Sequence, residues 1–158
     1  MITTHVRPSE TPDEHAFGDR RVSTPEMSEI TTDGIRVGAT AFFLEQESDR
    51  SRHHYVFGYR IVILNEGDAP AKLISRRWMI VDADGQRQDV EGPGVVGQTP
   101  LLAPGQAFKY TSFCPLTTPW GTMEGSYLME RTDGTRFNAR IARFYLALPA
   151  QSTAPAVR

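Results

Sequence analysis

The chain has 158 residues, 39% of them hydrophobic and 23% charged, with a formal net charge of −2. That length and mixture fit one globular domain with a core of its own. Basic residues stand singly or in pairs (Arg20-Arg21, Arg76-Arg77), which excludes the charge signature of a nucleic-acid binder, and the longest aliphatic run, Ile61 to Leu64, is far too short to insert into a membrane.

Residues 1–29 are dominated by Thr, Pro, Glu, Asp, Arg and His, with Phe17 the only aromatic. No helical or strand period runs through them. So little apolar surface does not offset the entropy of ordering, and a flexible tail is expected. The domain is expected over residues 30–148, followed by a short polar tail at 149–158. Cys114 is the only cysteine and the N-terminus lacks the apolar stretch of a signal peptide. Both fit a cytoplasmic protein.

From Ile30 the texture changes. After the Asp33-Gly34 turn signal, Ile35, Val37, Ala39, Ala41 and Phe43 alternate with smaller or polar residues, the period of a half-buried strand. Tyr55 to Leu64 repeats the pattern, and Ala71 to Asp82 is a third strand. Asp84-Gly85 marks a hairpin into Gln86 to Val90. Gln106 to Cys114, Ser126 to Arg131 and Arg136 to Leu148 complete the set, with Pro115 and Pro119 bracketing a rigid turn that ends at Trp120. About seven strands, no helix long enough for a parallel crossover, and turns every ~8–12 residues predict an all-β fold. The expected architecture is an antiparallel two-sheet sandwich of immunoglobulin or fibronectin type III kind.

The most glycine-dense run is Glu91-Gly92-Pro93-Gly94-Val95-Val96-Gly97-Gln98-Thr99-Pro100, which contains a G-x-G-x-x-G spacing. A dinucleotide site needs a helix opening after the glycines. Pro100 and Pro104-Gly105 leave too short a stretch for one, which argues against a Rossmann site. Two readings remain. The glycines permit a tight crossing between strands, or the amides of Gly92, Gly94, Val95, Val96 and Gly97 form an anion nest for phosphate or pyrophosphate. Pro93 removes one N–H from such a nest, and Asp89 and Glu91 oppose it by charge. Arg76 and Arg77 are its best cationic partners, but adjacent strand residues point to opposite faces, so only one of them can serve. Lys109 is a further cation after the loop.

Other candidates are weaker. His53 and His54 are adjacent and point apart, and no His, Cys or carboxylate set has metal-ligand spacing. Cys114 has no histidine near it in sequence, and Glu124 and Glu130 form no recognisable acid/base pair. No catalytic residues, metal or cofactor are expected. Trp120, a large aromatic in a Pro-rich turn, either packs over one end of the sandwich or stands exposed as a candidate protein-contact residue.

Several segments together resemble the ApaG family: Ser75-Arg76-Arg77-Trp78-Met79-Ile80, Val90-Glu91-Gly92-Pro93-Gly94-Val95-Val96-Gly97, Leu102-Ala103-Pro104-Gly105, Cys114-Pro115-Leu116 and Gly121-Thr122-Met123-Glu124-Gly125-Ser126-Tyr127. The match runs from about Ile30 to Leu148. The resemblance implies a fibronectin type III-like sandwich. It also implies a link to cobalt resistance and magnesium efflux, and, from larger animal proteins that carry the domain, a role in protein contacts. The family's glycine motif, here Gly92, Gly94 and Gly97, has been proposed to bind pyrophosphate or nucleotides. Arg77 stands where many relatives have His, and Trp120 where many have a small residue. The expectation is a non-enzymatic module that binds an unidentified protein, with a phosphate, pyrophosphate or nucleotide ligand at the glycine loop as the alternative.

Overall fold

In the computed structural model, residues 27–149 are described. They form nine strands: β1 (Met27–Thr32), β2 (Ile35–Phe43), β3 (Tyr55–Asn65), β4 (Ala71–Asp82), β5 (Arg87–Pro93), β6 (Leu101–Leu102), β7 (Ala107–Leu116), β8 (Trp120–Glu130) and β9 (Arg136–Ala147). One sheet has the order β1-β2-β3-β7 and the other β5-β4-β8-β9, with the short β6 also on β4, and every pairing is antiparallel. The two sheets face each other as the expected fibronectin type III-like sandwich.

Period-two alternation builds the core. Ile35, Val37 and Ala39 of β2 and Phe57, Tyr59, Ile61 and Ile63 of β3 point inward from the first sheet. Trp78, Met123, Tyr127, Ile141 and Phe144 answer from the second. Trp78 sits where the sheets meet, with ring centroids 5.4 Å from Tyr59, 5.9 Å from Phe144 and 6.3 Å from Tyr127, in edge-on contacts that favour the aromatic quadrupoles.

The sandwich is closed on one side and open on the other. β1 runs beside β9, where Ser28 Oγ donates to the Ala142 carbonyl at 2.9 Å and the Arg140 amide donates to Thr32 Oγ1 at 3.2 Å. On the opposite side β5 and β7 are both free edges. At one end, the fully buried Asn65 ties the β3–β4 turn to β6. Its Nδ2 donates to Ala69 O at 2.8 Å and Leu102 O at 3.0 Å, and its Oδ1 accepts from the Gly67 amide at 2.9 Å.

Three sequence expectations need correction. Met27 to Glu29 are strand rather than tail, because pairing with β2 and cover from β9 support a sequence with little apolar character of its own. β7 continues through Pro115 to Leu116, which an edge strand tolerates because a proline there forfeits no ladder bond on its free side. Trp120 opens β8 rather than ending a turn. The charged stretch after β2 holds two 3₁₀ turns, Glu45–Glu47 and Arg50–Arg52.

Asn65→Ala removes all three side-chain bonds at a site with no water access. It is expected to lower unfolding stability by about 2–4 kcal/mol. Urea denaturation with an unchanged m-value checks it, and a loss no larger than that of a surface substitution would show that the turn and β6 hold together without Asn65.

Candidate functional site

The site begins with an irregularity in β4. Its register with β8 shifts between Leu73 and Ser75. Ala71 and Leu73 point inward before the shift, and Trp78 and Ile80 after it. The shift brings Arg76 onto the inner face with Trp78 and leaves Arg77 exposed on the outer one. Arg77 pairs with Glu91 across the strands at 3.2 Å. Arg76 has no carboxylate within ion-pair distance among the described residues.

Arg76 instead grips the glycine stretch. Its Nη1 donates to the carbonyls of Pro93 at 2.9 Å and Gly94 at 3.0 Å. The guanidinium lies against Gly92, where a Cβ would come within 2.9 Å of Nη2. Gly94 has φ +58°, and a Cβ there would meet the Gln98 carbonyl oxygen at 2.3 Å. Gly97, at φ +74°, sits in a tight turn closed by reciprocal 2.8 Å bonds between Val95 and Gln98. Each glycine of the G-x-G-x-x-G spacing thus answers a local steric demand. Val95, fully buried, anchors the loop in the core, while Val96 is held at φ +52°, a costly conformation for a β-branched residue.

The amides of this loop are largely committed. Gly94 N–H donates to Ile74 O, Val95 N–H to Gln98 O and Gln98 N–H to Val95 O, each at 2.8 Å. Val96 and Gly97 carry the amides without a backbone partner. The cation points its donors at carbonyls, so the arrangement is a backbone clamp.

Behind the clamp lies a buried polar cluster. The phenols of Tyr110 and Tyr127 share a hydrogen bond, and Tyr59 and Ser112 are cross-strand neighbours. Ser112 Oγ is buried without a well-formed hydrogen bond among the described residues. Burial pushes the Tyr59 phenol up to about 12, and the Cys114 thiol, 2% exposed, also up to about 12. Burial likewise raises Tyr110 and Tyr127 well above the ordinary phenol value, against a weaker downward pull from Arg76. A thiol so held is a poor nucleophile.

The outer face of the second sheet is shaped differently. Ser75, Arg77, Met79, Ser126, Leu128 and Arg140 help line a shallow groove of about 540 Å³. Beyond one end of it, Trp120 and Tyr145 stand 47% and 48% exposed on the same face, in adjacent rows of the β8–β9 ladder. Of the two placements open to Trp120 from sequence, packing over one end of the sandwich or exposure, the structure has the exposed one. Tyr145 was not singled out from the sequence, because the β8–β9 register shifts between Met123 and Gly125 and reverses the inward parity of β9 after Ile141.

The remaining candidates lie apart. Lys109 is exposed on β7 opposite Val62. His53, at φ +52°, and His54 are exposed, and His54 forms an isolated bridge with Asp49. Among the described residues no three His, Cys, Asp or Glu side chains cluster as a metal site, and no helix is long and apolar enough to cross a membrane.

Fold and site together define a fibronectin type III-like β-sandwich domain with a clamped glycine loop and an open outer face. The chain belongs to the ApaG family: a profile of the ApaG domain matches residues 45–131. It is 50% identical over 123 residues to Protein ApaG of Anaeromyxobacter dehalogenans, a match covering 78% of this chain and 97% of that one. Protein ApaG of an Azoarcus species is 51% identical over the same length and shares. A crystal structure named for the ApaA protein of Bordetella pertussis superposes with a TM-score of 0.72 at 48% identity, covering 73% of this chain and 94% of that one.

Two predictions follow from the clamp and the cluster behind it. Gly94→Ala is expected to cost about 2 kcal/mol or more, since it meets both a backbone clash and the left-handed penalty. Gly97→Ala, with open space around it, should cost only the latter, about 1 kcal/mol. Equal losses in urea would show that conformation alone explains the motif.

The second concerns pH. The thiol and phenols ionise near 9.0 and 10.0 in ordinary surroundings, and burial holds them neutral well above that. The stability they contribute is whole below about pH 9 and lost as pH climbs toward 12, because the unfolded chain releases those protons first. The phenolate absorbance of Tyr59, Tyr110 and Tyr127 and the reactivity of Cys114 toward a thiol reagent should therefore appear together with alkaline unfolding. Thiol reaction in the folded protein near neutral pH would contradict this account of the core.

Proposed function

We propose that the chain is a non-enzymatic protein-interaction module whose contact surface is the outer face of the β5-β4-β8-β9 sheet. The observation that carries this reading is the exposed Trp120–Tyr145 pair beside the groove. Large aromatics fixed on a rigid strand lose little entropy on binding and serve as anchors. The arginines along the groove supply a polar rim, as protein interfaces have. On this reading the family's link to cobalt resistance and magnesium efflux runs through a bound partner, in the cytoplasm, with no resident cofactor.

The alternative, a phosphate, pyrophosphate or nucleotide ligand at Gly92 to Gly97, draws on one observation: Arg76 has no carboxylate partner among the described residues. Arg77, tied to Glu91 on the other face, gives it no help.

The test places benzoylphenylalanine at position 120 for photo-crosslinking in the source cell. One defined partner is expected. Trp120→Ala and Tyr145→Ala should each weaken its binding by about 2 kcal/mol, roughly 30-fold, at an unchanged melting temperature. The reading fails if position 120 yields no defined partner. It would give way to the alternative if pyrophosphate binds more tightly than about 100 μM at low salt and Arg76→Lys weakens that binding without lowering the melting temperature.

A further inference from the structure

The outer face of the second sheet is more cationic than the chain that carries it. Lys72, Arg77, Arg87, Arg136, Arg140 and Arg143 stand on it, against Asp89, Glu91, Glu124 and Glu130, while the whole chain is at −2. Arg77, Arg87, Arg136 and Arg143 each have one of those carboxylates within 3.2 Å. Lys72 and Arg140 have no carboxylate partner among the described residues. Arg140 lines the groove beside Ser126 and Asn138, with Glu91 and Glu124, each ion-paired, also on its wall.

The compensating charge lies near the start of the chain. Between Pro8 and Asp19 there are four carboxylates, Glu10, Asp13, Glu14 and Asp19, and no Lys or Arg. These residues lie outside the described ones, but the point where they join the domain is fixed. β1 begins at Met27 and runs beside β9, tied to it at Ala142 and at the Arg140 amide. The connection from Asp19 to Met27 spans up to about 27 Å when extended, while four strands are only ~15 Å across. Reach is not limiting. The 123 residues that match the Anaeromyxobacter dehalogenans protein cover 97% of it, so nearly all of this chain's other 35 residues have no counterpart there.

We propose that residues 8–19 are the intramolecular occupant of this groove, their carboxylates answering the unpaired Arg140 and Lys72. The segment then lies beside the Trp120–Tyr145 corner, and a partner using that corner displaces it. The regulatory consequence rests on the interaction reading above, whereas the docking itself does not.

The test uses the full chain. Pro12→Cys supplies a single reactive thiol, because Cys114 is buried, and takes a nitroxide label. In the ¹⁵N-labelled protein at low salt, the amides of Ser126, Asn138 and Arg140 are expected to lose more than half their intensity, and those of exposed β2 residues little. The effect should vanish in Arg140→Gln, in a variant carrying Glu10→Gln, Asp13→Asn, Glu14→Gln and Asp19→Asn, and in on the order of 1 M salt, where the screening length is about 3 Å. Uniform or absent broadening would overturn the proposal. So would broadening that appears in a mixture of labelled and ¹⁵N molecules, since the occupant would then be another copy's segment. Loss of the docking with the position-120 crosslink intact refutes this inference alone. Docking without any crosslinked partner refutes the interaction reading alone.

Discussion

The one-residue shift in β4 sets the chemistry of both faces of the second sheet. Without it, strict alternation from Leu73 would turn Arg77 inward and leave Arg76 outside. With it, Arg76 enters the mouth of the sandwich and meets the carbonyls of Pro93 and Gly94, while Arg77 is released to pair with Glu91. A β-bulge is a usual way to re-aim a side chain without disturbing the rest of a strand. Here it lets Trp78, two residues further on, keep its place among Tyr59, Tyr127 and Phe144.

Placing a guanidinium at the edge of a core is costly unless its donors are used. Arg76 keeps part of its surface in solvent and spends Nη1 on two carbonyls that a loop tethered by Val95 holds in place. The glycines follow from that choice. Gly92 must lack a side chain so that the guanidinium can lie against it, and Gly94 must turn left-handed so that its carbonyl faces the cation while its amide reaches Ile74. Loop and cation are one unit, so a change in either is felt as stability before it is felt as binding.

Much of the fold was legible in the sequence because strands such as β3 keep their inward residues at period two: Tyr55, Phe57, Tyr59, Ile61 and Ile63 could be read directly. The legibility ended where pairing outweighed local character. Met27 to Glu29 carries no strand signal and is strand because of its neighbours. Pro115 looks like a breaker and is tolerated because β7 is an edge. The site was harder. The G-x-G-x-x-G spacing was visible, but its meaning depended on Arg76, whose face is set by a shift that no residue of β4 announces. Tyr145 was hidden for the same reason in β9. Trp120 stood out in the sequence as a large aromatic in a Pro-rich turn, but its exposure was not fixed there, and the structure makes it the first residue of a strand.

These constraints bear on where a partner can act. The inner mouth is largely committed: two of its carbonyls hold Arg76, the amides of Gly94, Val95 and Gln98 donate to backbone carbonyls, and its phenols and thiol are kept neutral by burial. Anything entering there must replace bonds the fold itself uses. The outer face carries no such obligation. Its aromatic corner is exposed, two of its cations lack carboxylates among the described residues, and its ion pairs are solvent-screened contacts of small individual worth. Exchange on that face therefore costs the fold little, and the clamped loop need not change with it.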